Sequence, residues 1–430
     1  MRAARSVLCA LLAATQVAAR PPAQMPMQNL LGAGRAHSYG VGHFSEWSRA
    51  TKKAFLVDWQ AGKASEWTIV QGNEGGDMDS MTAALTWAYH LGHATENSSH
   101  PIKAIALLQT PSHALDLRPE NKLALDNSQM TPGHEDLLTM DELPEDPETL
   151  SKKLKGIILV DHGSPLRKWS HAKILSIFDH HKDRGTAPDA EPRVFETAAS
   201  CTTLVARQML DELEKLDQEY HMPHELLELI LSAIAIDSGG LTSDKTMKTD
   251  IETSKRVLAR SAWAKKDLED VMEDLDDELS AAQKDIGGFD LRDLLRRDWK
   301  GDLIDTPSPR TPTVSLGFAS IPFSMDEQIL KTDFAELFDW FAKHYKNGEK
   351  EKIREIVLTV RDDVRIDQEQ ADSLFELVKE ALENNKEGID LEPWHRADEL
   401  AARQMVWTHK SGAGRKIIRP IVEEAVTGWD

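Results

Sequence analysis

The chain has 430 residues, 40% hydrophobic and 29% charged, with a formal net charge of −21. That length suits two or three domains of ordinary size with ample core, and the composition is that of a soluble globular protein. The acidic balance argues against bulk electrostatic attraction to nucleic acid or acidic membranes, and two cysteines, Cys9 and Cys201, exclude a disulfide framework.

The chain opens on a targeting pattern. Arg2 and Arg5 precede the apolar run 7–14, and Val17-Ala18-Ala19 closes it with small residues. Residues 1–19 thus read as a signal peptide, too short for a membrane span. Secretion is the first expectation. A mitochondrial presequence is the second, because no Asp or Glu precedes Glu46. An uncleaved cytosolic extension is the third. Residues 20–44, with Pro, Gly, Gln and Met and no period, read as a flexible leader. Asn97-Ser98-Ser99 is a glycosylation sequon.

From residue 45 the pattern becomes regular. Residues 46–60 read as an amphipathic helix. Strands are expected at 68–71, 103–108, 156–160, 173–178 and 193–196, with helices at 80–91, 200–216 and 224–236. Such alternation predicts an α/β domain over 45–262, a mainly parallel sheet with helices on both faces. Residues 130–148, rich in Pro, Asp and Glu, read as a surface insertion. Ser200-Cys201-Thr202-Thr203 opens a helix whose N–H groups could face a phosphate or simply be capped. Cys201 reads as a small buried residue. Thr249-Asp250 cap the next helix. Residues 263–282 are dense in acidic charge and read as a partly helical linker. A smaller α/β domain is expected over 283–430. It has a Pro-rich loop at 302–312, strands at 313–318, 353–360 and 406–409, and helices at 326–346, 368–384 and 415–425.

Chemistry concentrates where the strands of the first domain end. The run 67–70 leads into Gln71-Gly72-Asn73-Glu74-Gly75-Gly76-Asp77-Met78-Asp79-Ser80. In an open α/β sheet that is where ligands bind. Two carboxylates two residues apart need something positive to hold them. One reading is an Asp-rich turn that caps the following helix; the other is a divalent-cation site. Recurrence favours the second. Gly156–Val160 ends in Asp161-His162, the run 174–178 in Asp179-His180-His181, and the apolar run 229–236 in Asp237-Ser238. Four such runs would deliver Asp or His to one edge of one sheet.

In order, Gly72-Asn73-Glu74-x-x-Asp77-x-Asp79-Ser80, Val160-Asp161-His162, Asp179-His180-His181 and Asp237-Ser238 resemble the DHH phosphoesterases, named for the third motif. The run Phe289-Asp290-Leu291-Arg292-Asp293-Leu294-Leu295-Arg296-Arg297-Asp298-Trp299-Lys300 resembles the start of the second subfamily's C-terminal domain, called DHHA2. Arg415-Lys416 resembles that domain's closing pair, with Gly414 where the family has Ser. The Asn73-Glu74 opening is similar to the exopolyphosphatase and prune branch; the related manganese pyrophosphatases carry a His there.

The resemblance implies two divalent cations, Mg2+ or Mn2+, held by Asp77, Asp79, Asp161, His180 and Asp237, with Asn73 in the sixth ligand's place. Asp161 would bridge them, and His162 would orient Asp161 or the attacking water. His181, Arg415 and Lys416 would compensate the leaving phosphate, with Arg118 and Lys248 as further substrate contacts. Catalytic work would fall to His181, His162 and Asp161. The neutral oxygen of Asn73 should make magnesium more acceptable. Arg296 and Arg297 would extend a groove, or be solvated or paired with Asp293 or Asp298. The implied activity is removal of terminal phosphate from inorganic polyphosphate by direct attack of a metal-bridging water. An inorganic pyrophosphatase or a prune-like cyclic nucleotide phosphodiesterase is the alternative, and a non-catalytic metal-binding protein is a reading of another class. Polyphosphate or diphosphate is the expected partner, with no nucleic acid and no membrane, on a monomer or weak dimer.

Overall fold

The computed structural model describes residues 42–96, 98–131, 133–216, 219–321, 355–361, 368–393, 405–409 and 414–430. The targeting segment, Asn97 and the helix expected at 326–346 lie outside the described residues.

Helix α1 (His43–Gln60) precedes β1 (Trp67–Gln71), α2 (Met78–Ala94) and β2 (Lys103–Leu108). There follow α3 (Pro119–Asn127), β3 (Leu138–Thr139), α4 (Pro147–Ser151), β4 (Gly156–Val160), β5 (Ile174–Asp179) and β6 (Arg193–Phe195). These strands form one sheet in the order β3-β2-β1-β4-β5-β6, every neighbouring pair parallel. The fold class is therefore the expected α/β.

Each central strand is apolar on both faces, as a covered parallel sheet requires. Val70, Ile158, Val160 and Phe178 join the core under α2 together with α5 (Cys201–Leu213) and α6 (His224–Ser238). The alternate residues Ile69, Ile157, Leu159 and Ile177 pack on Phe55 of α1, Leu150 of α4 and Trp169. Period-two alternation thus serves two cores at once.

The helix expected at 224–236 is α6, which carries the apolar run up to Asp237. Two elements depart from expectation. The presumed surface insertion contributes β3 to the sheet edge. Leu137 and Leu138 are buried there, and buried Asp136 accepts hydrogen bonds from Ser45 Oγ at 2.5 Å and Thr131 N–H at 2.8 Å. The stretch read as a linker holds α8 (Leu268–Lys284), whose Val271, Met272, Leu275 and Leu279 enter the first core. Its acidic residues hide an apolar stripe at helical spacing.

Helix α7 (Lys248–Arg260) intervenes between α6 and α8. Beyond them, α9 (Leu291–Arg297) leads to an antiparallel sheet of β7 (Trp299–Asp305), β8 (Thr313–Ile321) and β9 (Glu355–Arg361). Strand β7 takes the first part of the stretch expected as loop. Val314, Leu316 and Phe318 pack on α10 (Gln368–Glu383) and α11 (Arg415–Thr427). A short pair, β10 (Leu391–Pro393) with β11 (Trp407–His409), completes the described elements.

From β1 the chain runs to β2 and β3 on one side, and later to β4, β5 and β6 on the other. The order therefore switches between β1 and β4, which opens a crevice at their carboxyl ends. The turn out of β1 is tight. Gly76 has φ +56°, and a Cβ there would run into Thr110 Oγ1. Gly76→Ala is expected to cost about 1–3 kcal/mol, read as a lower denaturant midpoint with an unchanged slope.

Candidate metal centre

Asp161 is the hub of the crevice. It follows β4 directly, with φ +60°, a left-handed conformation that Asp tolerates better than most residues. Its N–H donates to Phe178 O at 2.8 Å, which ties the turn to β5. Its Oδ2 accepts from Asn73 Nδ2 at 2.5 Å and from Ser80 Oγ at 2.7 Å. Its Oδ1 faces His180 Nε2 at 3.3 Å and His181 Nδ1 at 3.7 Å.

The imidazoles are oriented by their other contacts. His180 Nδ1 lies 3.0 Å from Ala198 O, and a carbonyl can only accept, so Nδ1 carries the hydrogen. In the neutral ring, Nε2 then presents a lone pair to Asp161 and, at 3.9 Å, to Asp79 Oδ2. A lone pair facing two carboxylates needs a proton or a cation between them. His181 Nδ1 and its backbone N–H both reach Asp179 Oδ1, at 2.7 and 3.1 Å. Burial disfavours the Asp179 carboxylate, yet His181 outweighs it and holds the group below the usual range. Asp161, His180 and His181 each offer a ligand atom, all within 4.8 Å of one another.

Asp79 and Asp77 enter the crevice from the start of α2. Asp79 is 4% exposed and accepts from Ser200 Oγ at 2.5 Å, Cys201 N–H and Thr202 N–H at 2.7 Å, and Thr202 Oγ1 at 2.8 Å. The N–H groups of α5 that could have met a phosphate are therefore bound to Asp79, because a helix N-terminus takes the nearest buried anion. Burial first, and the Asp161 charge second, push the Asp79 carboxyl up to about 6. Asp77 caps α2 through Ser80 N–H at 3.1 Å. Its burial opposes ionisation, but Lys300 and Arg118 pull its carboxyl well below the usual range.

Asp237 arrives from the last turn of α6. Its Oδ2 is buried without a hydrogen-bond partner among the described residues. Burial, then the charges of Asp79, Asp77 and Asp161, push this carboxyl well up. Four gathered carboxylates, one orphaned oxygen and a lone pair aimed among them form a donor set that fits divalent cations.

Asn73 and His162 are each held by neighbouring backbone. Asn73 turns its amide NH2 to Asp161 and uses its oxygen to accept Gly75 N–H at 2.8 Å. It steadies Asp161 while its oxygen is engaged by Gly75 N–H. His162 makes no bond to Asp161. Its Nδ1 donates to Val160 O at 2.9 Å, and its buried Nε2 has no partner among the described residues. The carbonyl one strand residue back outcompetes the carboxylate.

Cations line the crevice on the other side. Arg118 is buried, donating from Nε to Gly75 O at 2.8 Å and from Nη2 to Asp298 Oδ1 at 3.1 Å. Arg415, at the first position of α11, also reaches Asp298. Lys416 is next in α11, but its side chain lies outside the described residues. Lys248 is not brought in. Its side chain is 87% exposed and pairs with Glu252 one turn on. Arg297 lines no groove; it is buried against Glu120 Oε1 at 3.1 Å.

Three participants escaped sequence reasoning. Ser80 was visible as the residue three after Asp77, the spacing of an N-cap. Asp298 ends α9 and Lys300 lies in β7, in a run already singled out for other reasons.

Residues 67–234 match the DHH family, N-terminal domain, and residues 277–425 match the DHHA2 domain. A Schizosaccharomyces pombe protein named "Putative exopolyphosphatase" is 31% identical over 269 residues, 60% of this chain and 67% of that one. "Exopolyphosphatase PRUNE1" of Bos taurus is 27% identical over 242 residues, 54% of this chain, and the match spans 49% of the bovine protein. Among solved structures, a Methanococcus jannaschii "putative family II inorganic pyrophosphatase" aligns with TM-score 0.47 at 17% identity, over 84% of this chain and all of that one.

Proposed function

The chain belongs to the DHH family and carries its DHHA2 domain, and from that premise we propose that it hydrolyses phosphoric anhydrides, removing terminal phosphate from inorganic polyphosphate. One observation supports this above the others. A donor set for divalent cations, centred on Asp161 and His180, shares its rim with Arg118, Lys300 and Arg415. Phosphoryl transfer asks mainly for positioning and for charge to meet developing charge. A locally basic rim also answers how a chain of net charge −21 would hold a polyanion.

Asp161 and His180, with Asp77, Asp79 and Asp237 around them, would hold the cations. Bound there, divalent ions lower the pKa of a water and neutralise phosphoryl oxygens. The chain's own groups do the rest. Ser80 and Asn73 fix the Asp161 carboxylate, Ala198 O fixes the His180 ring, and Asp179 fixes His181. His181, about a third exposed, is the group that can meet a phosphate oxygen at the rim. Arg118 and Arg415 compensate charge across the crevice. No Ser or Cys nucleophile is called for: Cys201 is wholly buried, and burial pushes its thiol well up.

The test is a substrate panel. Polyphosphate, diphosphate and cyclic AMP are offered with Mg2+ or Mn2+, and phosphate and nucleotide products are measured. Phosphate released stepwise from polyphosphate ends supports the proposal. Turnover of diphosphate alone moves the assignment to a pyrophosphatase, and turnover of cyclic AMP alone to a phosphodiesterase. No turnover of any favours a metal-binding protein without catalysis. The compartment is proposed as secretory from the N-terminal pattern, and sequencing the mature N-terminus tests it.

A further inference from the structure

The geometry points to Asp298 as the positioning residue of a two-arginine phosphate clamp built across the two domains, an inference that rests on the phosphate-directed reading above. One oxygen does the work. Asp298 Oδ1 accepts from Arg118 Nη2, which belongs to the first domain, and from Arg415 Nη2, which belongs to the second, both at 3.1 Å. The two guanidinium nitrogens therefore lie within twice that distance of each other. Arg415 is fixed again by donating from Nη1 to the Asp298 carbonyl at 2.7 Å. Arg118 is fixed again through Gly75 O, on the loop that carries the metal-centre residues.

A buried and a partly buried guanidinium this close repel each other, and desolvation penalises both. The Asp298 carboxylate shared by both, with Glu120 as a further partner of Arg118 at 3.5 Å, makes the arrangement tolerable. Each guanidinium has five donors, more than Asp298 can accept, so the pair keeps donors for phosphate oxygens. The clamp also sits against the centre. A Cβ placed on Gly75 would lie 2.6 Å from Lys300 Cε, 3.0 Å from Asn73 Oδ1 and 3.2 Å from Asp298 Oδ1. The 298–300 segment of the second domain thus closes directly over the 73–75 loop of the first. A phosphate next to the cations would meet both arginines without their having to be gathered first, which is where preorganisation gains rate.

A plain interdomain ion pair is the competing explanation, and the fold supplies its own control. Arg297 and Glu120 also bridge the domains, at 3.1 Å and buried; among the described residues the Arg297 side chain makes no hydrogen bond or ion pair with Asp298 or Arg415 and reaches Arg118 only through Glu120, whose Oε1 lies 3.5 Å from Arg118 Nη1. If Asp298 only glued the domains, Asp298→Asn would behave like Arg297→Met.

The test is a double-mutant cycle on Asp298→Asn and Arg415→Met, with Arg297→Met as control. Thermal melting, calorimetric diphosphate binding with and without Mg2+, and kcat and KM on polyphosphate are measured on the full chain. The clamp expects Asp298→Asn to weaken diphosphate binding and kcat/KM by about 10–100-fold. It expects the double variant to be little worse than the poorer single one, since the carboxylate acts through the arginine. Should Asp298→Asn not fold, Asp298→Glu takes its place in the cycle. Multiplying losses, a loss matched by Arg297→Met at equal melting temperature, or no diphosphate binding by the native chain would overturn the clamp. If the native chain binds diphosphate but cleaves no phosphoanhydride, the hydrolase reading falls, and the binding cycle still judges the clamp.

Discussion

Asp237→Asn is expected to stabilise the metal-free protein while abolishing hydrolysis. Asp237 Oδ2 is buried with no hydrogen-bond partner among the described residues, and three further carboxylates raise its cost of ionising. An amide of the same shape removes the like charge without opening a cavity. Relief of one unsatisfied buried group is worth about 1–3 kcal/mol, seen as a higher melting temperature in the presence of a chelator. Activity moves the other way. A lost cation ligand should cost more than the roughly 10–100-fold seen when an outer partner of a ligand is removed. A variant that melts lower without metal, or that keeps most of its turnover, contradicts the metal centre as described.

Divalent cations are expected to raise the melting temperature of the native chain and to leave Asp161→Asn nearly unmoved. At a cation concentration a hundredfold above its dissociation constant the gain is about 2.7 kcal/mol, or roughly 3 °C if all 430 residues melt together. Asp161→Asn should still fold. Its amide oxygen can accept from Asn73 and Ser80, and its NH2 can donate to the His180 Nε2 lone pair that Asp161 now faces at 3.3 Å. What it loses is the charge.

The same experiment has a pH signature. The Asp79 carboxyl is raised from 3.8 to about 6 in the metal-free fold. The stability this contributes is full below about 3.8 and fades as pH rises through about 6. Above that window the cation takes over the proton's place, so cation-induced stabilisation should shrink as pH falls from 7 to 5. A cation effect that is flat over this range counts against Asp79 as part of the centre.

Much of the frame was legible in the residues because its signals are local. The apolar runs at 103–108 and 156–160 coincide with β2 and β4, since a doubly covered strand must be apolar throughout. Asp161, His180 and Asp79 were legible because acidic and imidazole groups at strand ends have few bland explanations. Orientation was not legible. Whether Asn73 offers oxygen or nitrogen depends on Gly75 N–H competing for the oxygen. Whether His162 reaches Asp161 depends on the carbonyl of Val160. Lys248 sits two residues from Asp250, which accepts from Ala199 N–H and Thr203 Oγ1, yet its own side chain points to water. Helical phase, not sequence proximity, decides that. The run before Asp237 read as a helix at 224–236 and is one, although a continuous apolar run suits a buried strand as well.

The partners of this centre come from far apart along the polymer. Asn73 meets Asp161 across 88 positions, and Asp79 meets Ser200 across 121. Closing spans of that size is slow and uphill until the intervening strands have docked. During refolding, therefore, far-ultraviolet ellipticity should recover before cation affinity does. Capture of the ion then serves as a clock hand marking the last stage of assembly, and an early-binding intermediate would mean that the chain gathers these groups by some other route.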